Sequence, residues 1–201
     1  MTFKNNLKKF WEFLKEDSWT SLIVWIIIIA VFLKLIFFPI ISLITGSPLP
    51  LVIVESCSMY HESSFDTWWG DNGAWYESHD ISKEDFQTFS LKNGLNKGDI
   101  VFVWGRADYE LGDIIIFKPN EEATTRNPII HRLVSISPNN TKGDHNPFQF
   151  TGSNNLNKLD ETKIKGDRVL GKAVARIPFA GWLKLIWFEG ARPSNQRGFC
   201  K

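Results

Sequence analysis

The sequence predicts a mainly β fold, a twisted and largely antiparallel sheet domain carried behind a single membrane-spanning helix. Two observations predict it: a long apolar run near the N-terminus, and after it a series of short apolar segments divided by Gly-Asp and Pro-Asn turns. Length agrees, since 201 residues hold one ordinary domain plus an anchor but not two full globular domains. The charges balance, Lys+Arg 23 against Asp+Glu 22 for a net +1, so no global field draws the chain to nucleic acid or to an acidic partner.

Residues 1–21 place Phe3, Leu7, Phe10, Trp11 and Leu14 at helical spacing opposite Lys4, Lys8, Lys9 and Lys15, the pattern of a helix lying on a membrane surface. The four lysines put this segment in the cytoplasm by the positive-inside rule. From Leu22 to Ile44 the chain is apolar except for Lys34 and Ser42, and as a helix it reaches about 34 Å, enough to span. Apolar residues on every face disfavour a soluble core helix, and the run is too long for a cleaved signal peptide. Lys34 either snorkels or faces a partner within the membrane.

Residues 45–188 read as the extracytoplasmic β domain. Its strands are expected at Leu51–Val54, Asp99–Trp104, Asp113–Phe117, Ile129–Ile136, Phe148–Thr151 and Val169–Ile177, with turns at Lys97-Gly98-Asp99, Leu111-Gly112-Asp113, Ser137-Pro138-Asn139-Asn140 and Lys142-Gly143-Asp144. Residues 60–96, rich in Trp and acidic side chains, interrupt this pattern as an insert with one short helix, capped by Ser82 with Asp85 in the N3 position. Residues 177–188 are apolar but too short to span and are broken by Pro178 and Gly181; they either dip into the outer leaflet or pack into the core. Residues 189–201 are a polar tail expected to be loose.

A serine hydroxyl is a poor nucleophile until a base takes its proton, and histidine, with an ordinary pKa of about 6.5, suits that task. Ser58 lies in Glu55-Ser56-Cys57-Ser58-Met59, directly after the apolar run Pro50–Val54. Of the four histidines, His61 and His79 fall in the insert, where solvated imidazoles are the default. His61-Glu62 opens like a zinc helix, but Phe65 stands where the second His is required. His131 follows Pro128-Ile129-Ile130 on an expected strand, a rigid platform for a base. Cys57 and Cys200 are expected to be free thiols, because a disulfide inside the serine motif would obstruct the chemistry; no metal or cofactor is expected.

Ser56-Cys57-Ser58-Met59 after a span resembles the SxSM box of type I signal peptidases. With Gly112–Lys118, Ile130-His131-Arg132, Thr141–Pro147 and Gly171–Pro178 in this order, the chain is similar to the archaeal and endoplasmic-reticulum branch of that family. The resemblance implies a signal-peptidase-like fold, Ser58 as nucleophile, His131 as base where the bacterial branch has lysine, and Ser56 as an oxyanion donor beside the Ser58 N–H. Lys118 is then a strand-end surface residue. Asp144 fills the place of one family aspartate, and Phe150 stands where a second often follows. Asp144 is thus the candidate to orient His131, with a turn-stabilising role as its alternative and Asp160 or Asp167 as substitutes.

By the same resemblance, the substrate is a translocated preprotein with small residues beside the cut, and the lipid bilayer and the secretion translocon are partners. The setting is an archaeal cell membrane with the catalytic domain outside. The rival reading is a non-catalytic, membrane-anchored binding module of the same fold.

Overall fold

The computed structural model describes residues 2–194 and 197–200. Two compact units divide the chain, Met1–Ile44 and Thr45–Lys201.

In the first unit, α1 (Thr2–Leu14) leaves Phe3, Leu7, Phe10 and Trp11 exposed. Its C-terminus is tied down at Leu14, whose carbonyl accepts from Ser21 Oγ at 3.0 Å and from Trp25 Nε1 at 2.9 Å. Ser18 caps the next helix by accepting from the Ser21 N–H, so α2 (Trp19–Phe32) starts a turn before the apolar run. The helix continues through one widened turn, Leu33–Phe37, into α3 (Phe38–Thr45). Pro39 explains the widening: it has no N–H to offer the preceding turn, and the Phe38 N–H bonds instead to the Leu33 carbonyl, five residues back. The result is one helix, Trp19–Thr45, long and apolar enough to cross a membrane. Bare Ile26, Ile27, Leu35 and Leu43 side chains on its surface match lipid rather than a protein core.

The second unit is built on a six-stranded sheet in the order β1-β2-β6-β3-β4-β5, every neighbouring pair antiparallel. The strands are β1 (Leu51–Ile53), β2 (Ile100–Trp104), β3 (Ile114–Phe117), β4 (Ile129–Ile136), β5 (Asn139–Lys142) and β6 (Val169–Ile177). The sheet is buried on both faces at β3. Ile114 and Ile116 join Val54, Met59, Val101, Val103 and Leu170 in one core cluster, while Ile115 and Phe117 point oppositely into a second with Leu133 and Ile164. This is the period-2 alternation of a strand with apolar residues on both sides.

Two strand expectations are corrected. Phe148–Thr151 is a loop with a single bridge, Thr151 to Asp160, because Asn154 bends the chain by accepting from the Thr151 N–H and donating to the Gln149 carbonyl. Asn139, Asn140 and Lys142, expected in turns, form β5 with Thr141 instead. The turn closes at Ser137-Pro138, and the polar strand is held by Asn139 Nδ2 donating to Tyr109 Oη and by Asn140 Oδ1 accepting from the Lys163 N–H.

The insert holds two helices rather than one, α4 (Phe65–Glu77) and α5 (Lys83–Thr88); the Ser82–Asp85 capping box opens the second. Trp68, Trp69, Tyr76, Ile81 and Phe86 form its own core against Val134 of β4.

Residues 182–189 form α6 (Trp182–Glu189), in which Leu185 is buried while Leu183, Ile186 and Trp187 are exposed. Trp182 Nε1 donates to the Lys97 carbonyl, and its ring lies so close to Gly98 that a Cβ there would fall 2.1 Å from it. Described residues of the tail beyond, expected to be loose, are tied down. Arg192 donates to the Glu55 carbonyl at 2.8 Å and pairs with its carboxylate at 3.0 Å, the Gly198 N–H donates to Glu189 at 2.7 Å, and Cys200 is disulfide-bonded to Cys57. The expectation of two free thiols is overturned because the anchored tail brings Cys200 to 5.6 Å from Cys57, Cα to Cα.

Candidate active site

The chain leaves β1 through Val54, whose N–H donates to the Asp99 carbonyl and whose carbonyl accepts from the Gly98 N–H. These bonds hold the next residues, Glu55–Ser58, along the wall of a cleft of about 800 Å³. The opposite wall is Asn127–His131, which runs into β4. His131 is buried on β4, with Ser58 across from it: His131 Nε2 lies 2.9 Å from Ser58 Oγ, and Ser56 Oγ lies 3.1 Å from the same hydroxyl.

The other imidazole nitrogen, Nδ1, meets a carboxylate that is not Asp144. It contacts Glu161 Oε1. Glu161 is fully buried, and its carboxylate also accepts from Thr141 Oγ1 at 3.3 Å and from the Phe150 N–H at 2.9 Å. Backbone bonds fix it further, the Glu161 N–H donating to the Phe150 carbonyl and its carbonyl accepting from the Thr141 N–H. In this arrangement Nδ1–H donates to Glu161 and the Nε2 lone pair accepts the Ser58 hydroxyl proton.

Asp144 sits elsewhere. Its oxygens accept from Arg132 Nε at 2.9 and 3.2 Å, Arg132 Nη2 at 2.6 Å and Tyr76 Oη at 2.9 Å, and His61 Nε2 lies 3.0 Å away. The physical reason is strand alternation: successive residues His131 and Arg132 point to opposite faces of β4, and Asp144 follows Arg132. Asp160 accepts from Thr162 through both its N–H and its hydroxyl, and Asp167 belongs to the turn Gly166–Arg168, so neither substitutes.

Burial alone would raise the Asp144 carboxyl, but the Arg132 charge, with His61 bonded alongside, holds it well below the ordinary carboxylate range. Burial lowers His61, against the pull of Asp144. It also raises the Tyr76 phenol, and it brings the Lys142 ammonium, lying over the Trp75 and Tyr76 rings, down to about 8. His61 is therefore not the solvated imidazole expected of it; its ring is stacked 3.7 Å from Trp68. Lys118 is exposed at the end of β3 and lines a different surface pocket. Among the described residues no group of three His, Cys, Asp or Glu side chains is set to hold a metal ion.

Sequence reasoning missed Glu161, Tyr76 and the disulfide. The acidic pair Asp160-Glu161 was a signal one residue off, but nothing in the sequence fixes which of two adjacent carboxylates faces His131.

The site thus places a serine hydroxyl on an imidazole whose second nitrogen meets a buried carboxylate, in a domain built on an antiparallel sheet that follows one apolar helix in the chain. The chain is similar to catalytic subunits of the signal peptidase complex. The SEC11 catalytic subunit of Colletotrichum graminicola is 31% identical over 111 residues, 50% of this chain and 60% of the relative. That of Fusarium vanettenii is 28% identical over 109 residues, with the same shares. That of Neurospora crassa is 26% identical over 158 residues, 74% of this chain and 70% of the relative. The chain thus spans 60% of the length of most of the relatives it matches. No family model matches it.

Proposed function

We propose that the protein is a membrane-bound serine endopeptidase that removes signal peptides from translocated preproteins. The observation that carries this reading is the hydroxyl–imidazole–carboxylate line, Ser58 to His131 at 2.9 Å and His131 on to Glu161, at the wall of an open cleft. Ser58 Oγ attacks the scissile carbonyl as His131 Nε2 takes its proton, and Glu161 keeps the imidazole in the required tautomer and balances the imidazolium. Ser56 Oγ and the Ser58 N–H then face the developing oxyanion. His131 returns the proton to the leaving amine, and a water hydrolyses the acyl-enzyme by the same route.

The cleft suits an extended peptide. Among the described residues β1 pairs only with β2, and Ile129–His131 pair on one side only, with β3, so two strand edges are open along it. Leu51, Ile53, Ile129, Ile130 and Leu159 give part of its lining an apolar character, which fits uncharged residues beside the cut.

The lysines of α1 favour a cytoplasmic N-terminus, which sets the sheet domain on the far side of the membrane. The Cys57–Cys200 disulfide supports the same orientation, since such bonds persist in oxidising compartments. The bare apolar face of α6, Leu183, Ile186 and Trp187, fits contact with the outer leaflet. The secretion translocon is a further partner on this reading.

The test is cleavage of a signal-bearing preprotein by the purified chain in detergent, with N-terminal sequencing of the product. Ser58→Ala and His131→Ala are expected to abolish cleavage and Lys118→Ala to leave it intact. Full activity in either of the first two would remove the assignment.

A further inference from the structure

We propose that His61 and Tyr76 are positioning residues for the nucleophile, acting through Asp144, so that the insert 60–96 is a buttress of the active site. This rests on the reading of Ser58 as the nucleophile. Ser58 lies in a tight turn, Cys57–Tyr60, closed by the Tyr60 N–H donating to the Cys57 carbonyl at 3.0 Å, and His61 follows directly. The strand-end segment Gly143–His145 is stitched both to this turn and to His61. The His145 N–H donates to the Ser58 carbonyl at 2.8 Å, and Asp144 takes the His61 Nε2 bond at 3.0 Å. Between them, the Asp144 N–H meets Met59 Sδ at 3.4 Å. The fit is close: a Cβ on Gly143 would lie 2.8 Å from the Ser58 carbonyl oxygen. Any shift of Asp144 is therefore felt at Ser58.

What fixes Asp144 comes from three directions. Arg132 holds it from β4, while Tyr76 of α4 and His61 hold it from the insert. His61 Nδ1 is buried with no partner among the described residues, so the Asp144 bond is the one polar restraint on the ring, which Trp68 clamps by stacking. Phe86 of α5 closes the far side, its ring 4.6 Å from the Arg132 guanidinium. An insert that merely padded the surface would not send two side chains to the carboxylate beside the nucleophile's own backbone partner.

Three variants of the full chain test it. Tyr76→Phe keeps the ring and removes its donor, His61→Phe keeps the stack and removes the donor, and His61→Gln keeps an N–H donor. The expected result is a fall of kcat of about tenfold in the first two with KM nearly constant, and substantial recovery in His61→Gln. Phosphonylation of Ser58 by a fluorophosphonate serine probe, in which the serine oxygen displaces fluoride from phosphorus, is expected to slow in parallel, with Ser58→Ala as the blank. Unchanged kcat and phosphonylation rate in both donor-deleted variants overturn the proposal, as does a loss that His61→Gln shares. If the wild-type chain is phosphonylated but cleaves no preprotein, the substrate reading fails and the phosphonylation rates still decide the positioning. If it does neither, the nucleophile reading fails and the positioning falls with it.

Discussion

Two buried histidine–carboxylate pairs flank β4, and they are made of the same parts. On one face His131 meets Glu161; on the other His61 meets Asp144. The difference lies in what else each pair touches. His131 offers its second nitrogen to a serine on the wall of a cleft, and its carboxylate partner is held by a hydroxyl and an amide. His61 has no partner for its second nitrogen among the described residues, and its carboxylate is ion-paired to a fully buried arginine. Under the proposed mechanism, the first pair passes the Ser58 proton on to the leaving amine. The second is closed off from any nucleophile: the Arg132 charge holds the Asp144 carboxyl well below the ordinary carboxylate range, burial lowers His61, and the ring's other nitrogen meets no partner among the described residues. A histidine near a carboxylate does not define a catalytic site; an open third position does.

The comparison breaks if the two carboxylates prove interchangeable. Glu161→Gln is expected to lower kcat by about 10²–10⁴-fold with little change in KM, because an amide no longer selects the tautomer that offers Nε2 to Ser58. Asp144→Asn is expected to act mainly on stability, by about 3–5 kcal/mol in a denaturation midpoint, since it leaves the buried Arg132 charge uncompensated. Its effect on kcat is expected to stay well below that of Glu161→Gln. An Asp144→Asn protein that is stable but as inactive as Glu161→Gln would return Asp144 to the role the sequence suggested.

The disulfide sharpens the contrast on the cleft side. Cys57 adjoins Ser58, and the bond closes a loop with a sequence separation of 143. By chain entropy alone such a closure stabilises by about 4–5 kcal/mol, an upper bound for a real protein. Cys200→Ser, or reduction, is expected to lower the denaturation midpoint by a smaller amount, of about 2–4 kcal/mol. Arg192 still holds Glu55, so partial activity is expected to survive at low temperature.

Much of this was legible in the sequence where a local rule governs. The apolar run determines the long helix, short apolar runs bounded by Gly-Asp or by proline turns determine β2, β3, β4 and β6, and Ser82 with Asp85 marks the start of α5. Ser58 and His131 could be paired because each sits in a recognisable segment. Glu161 could not. It reaches His131 only because Phe150 and Thr141 grip its backbone, and loop pairing of that kind leaves no periodic trace. The Cys57–Cys200 bond was hidden for a related reason: it depends on the path of a polar tail that Arg192, paired with Glu55, and Glu189, paired with Lys97, direct, and long-range ion pairs carry no sequence spacing. Alternation along β4 could have warned against Asp144, since a partner of Arg132 cannot also serve His131 on the opposite face.

The closed pair makes a further, smaller prediction in pH. Burial lowers the His61 pKa in the folded chain below its unfolded value of about 6.5. Between those two values the unfolded chain binds more protons than the folded one, so stability rises with pH across the window. The contribution of neutral His61 is fully present above about pH 6.5 and is lost as pH falls through the lower, folded value. One proton sets the ceiling on the slope, about 1.4 kcal/mol per pH unit. Denaturation midpoints of wild type and His61→Gln, measured from pH 7.5 to pH 5 (roughly spanning the window), are expected to converge toward acid, because glutamine keeps the donor and binds no proton. Parallel curves would mean that His61 does not titrate on unfolding, and that the second pair is closed by packing against Trp68 rather than by charge.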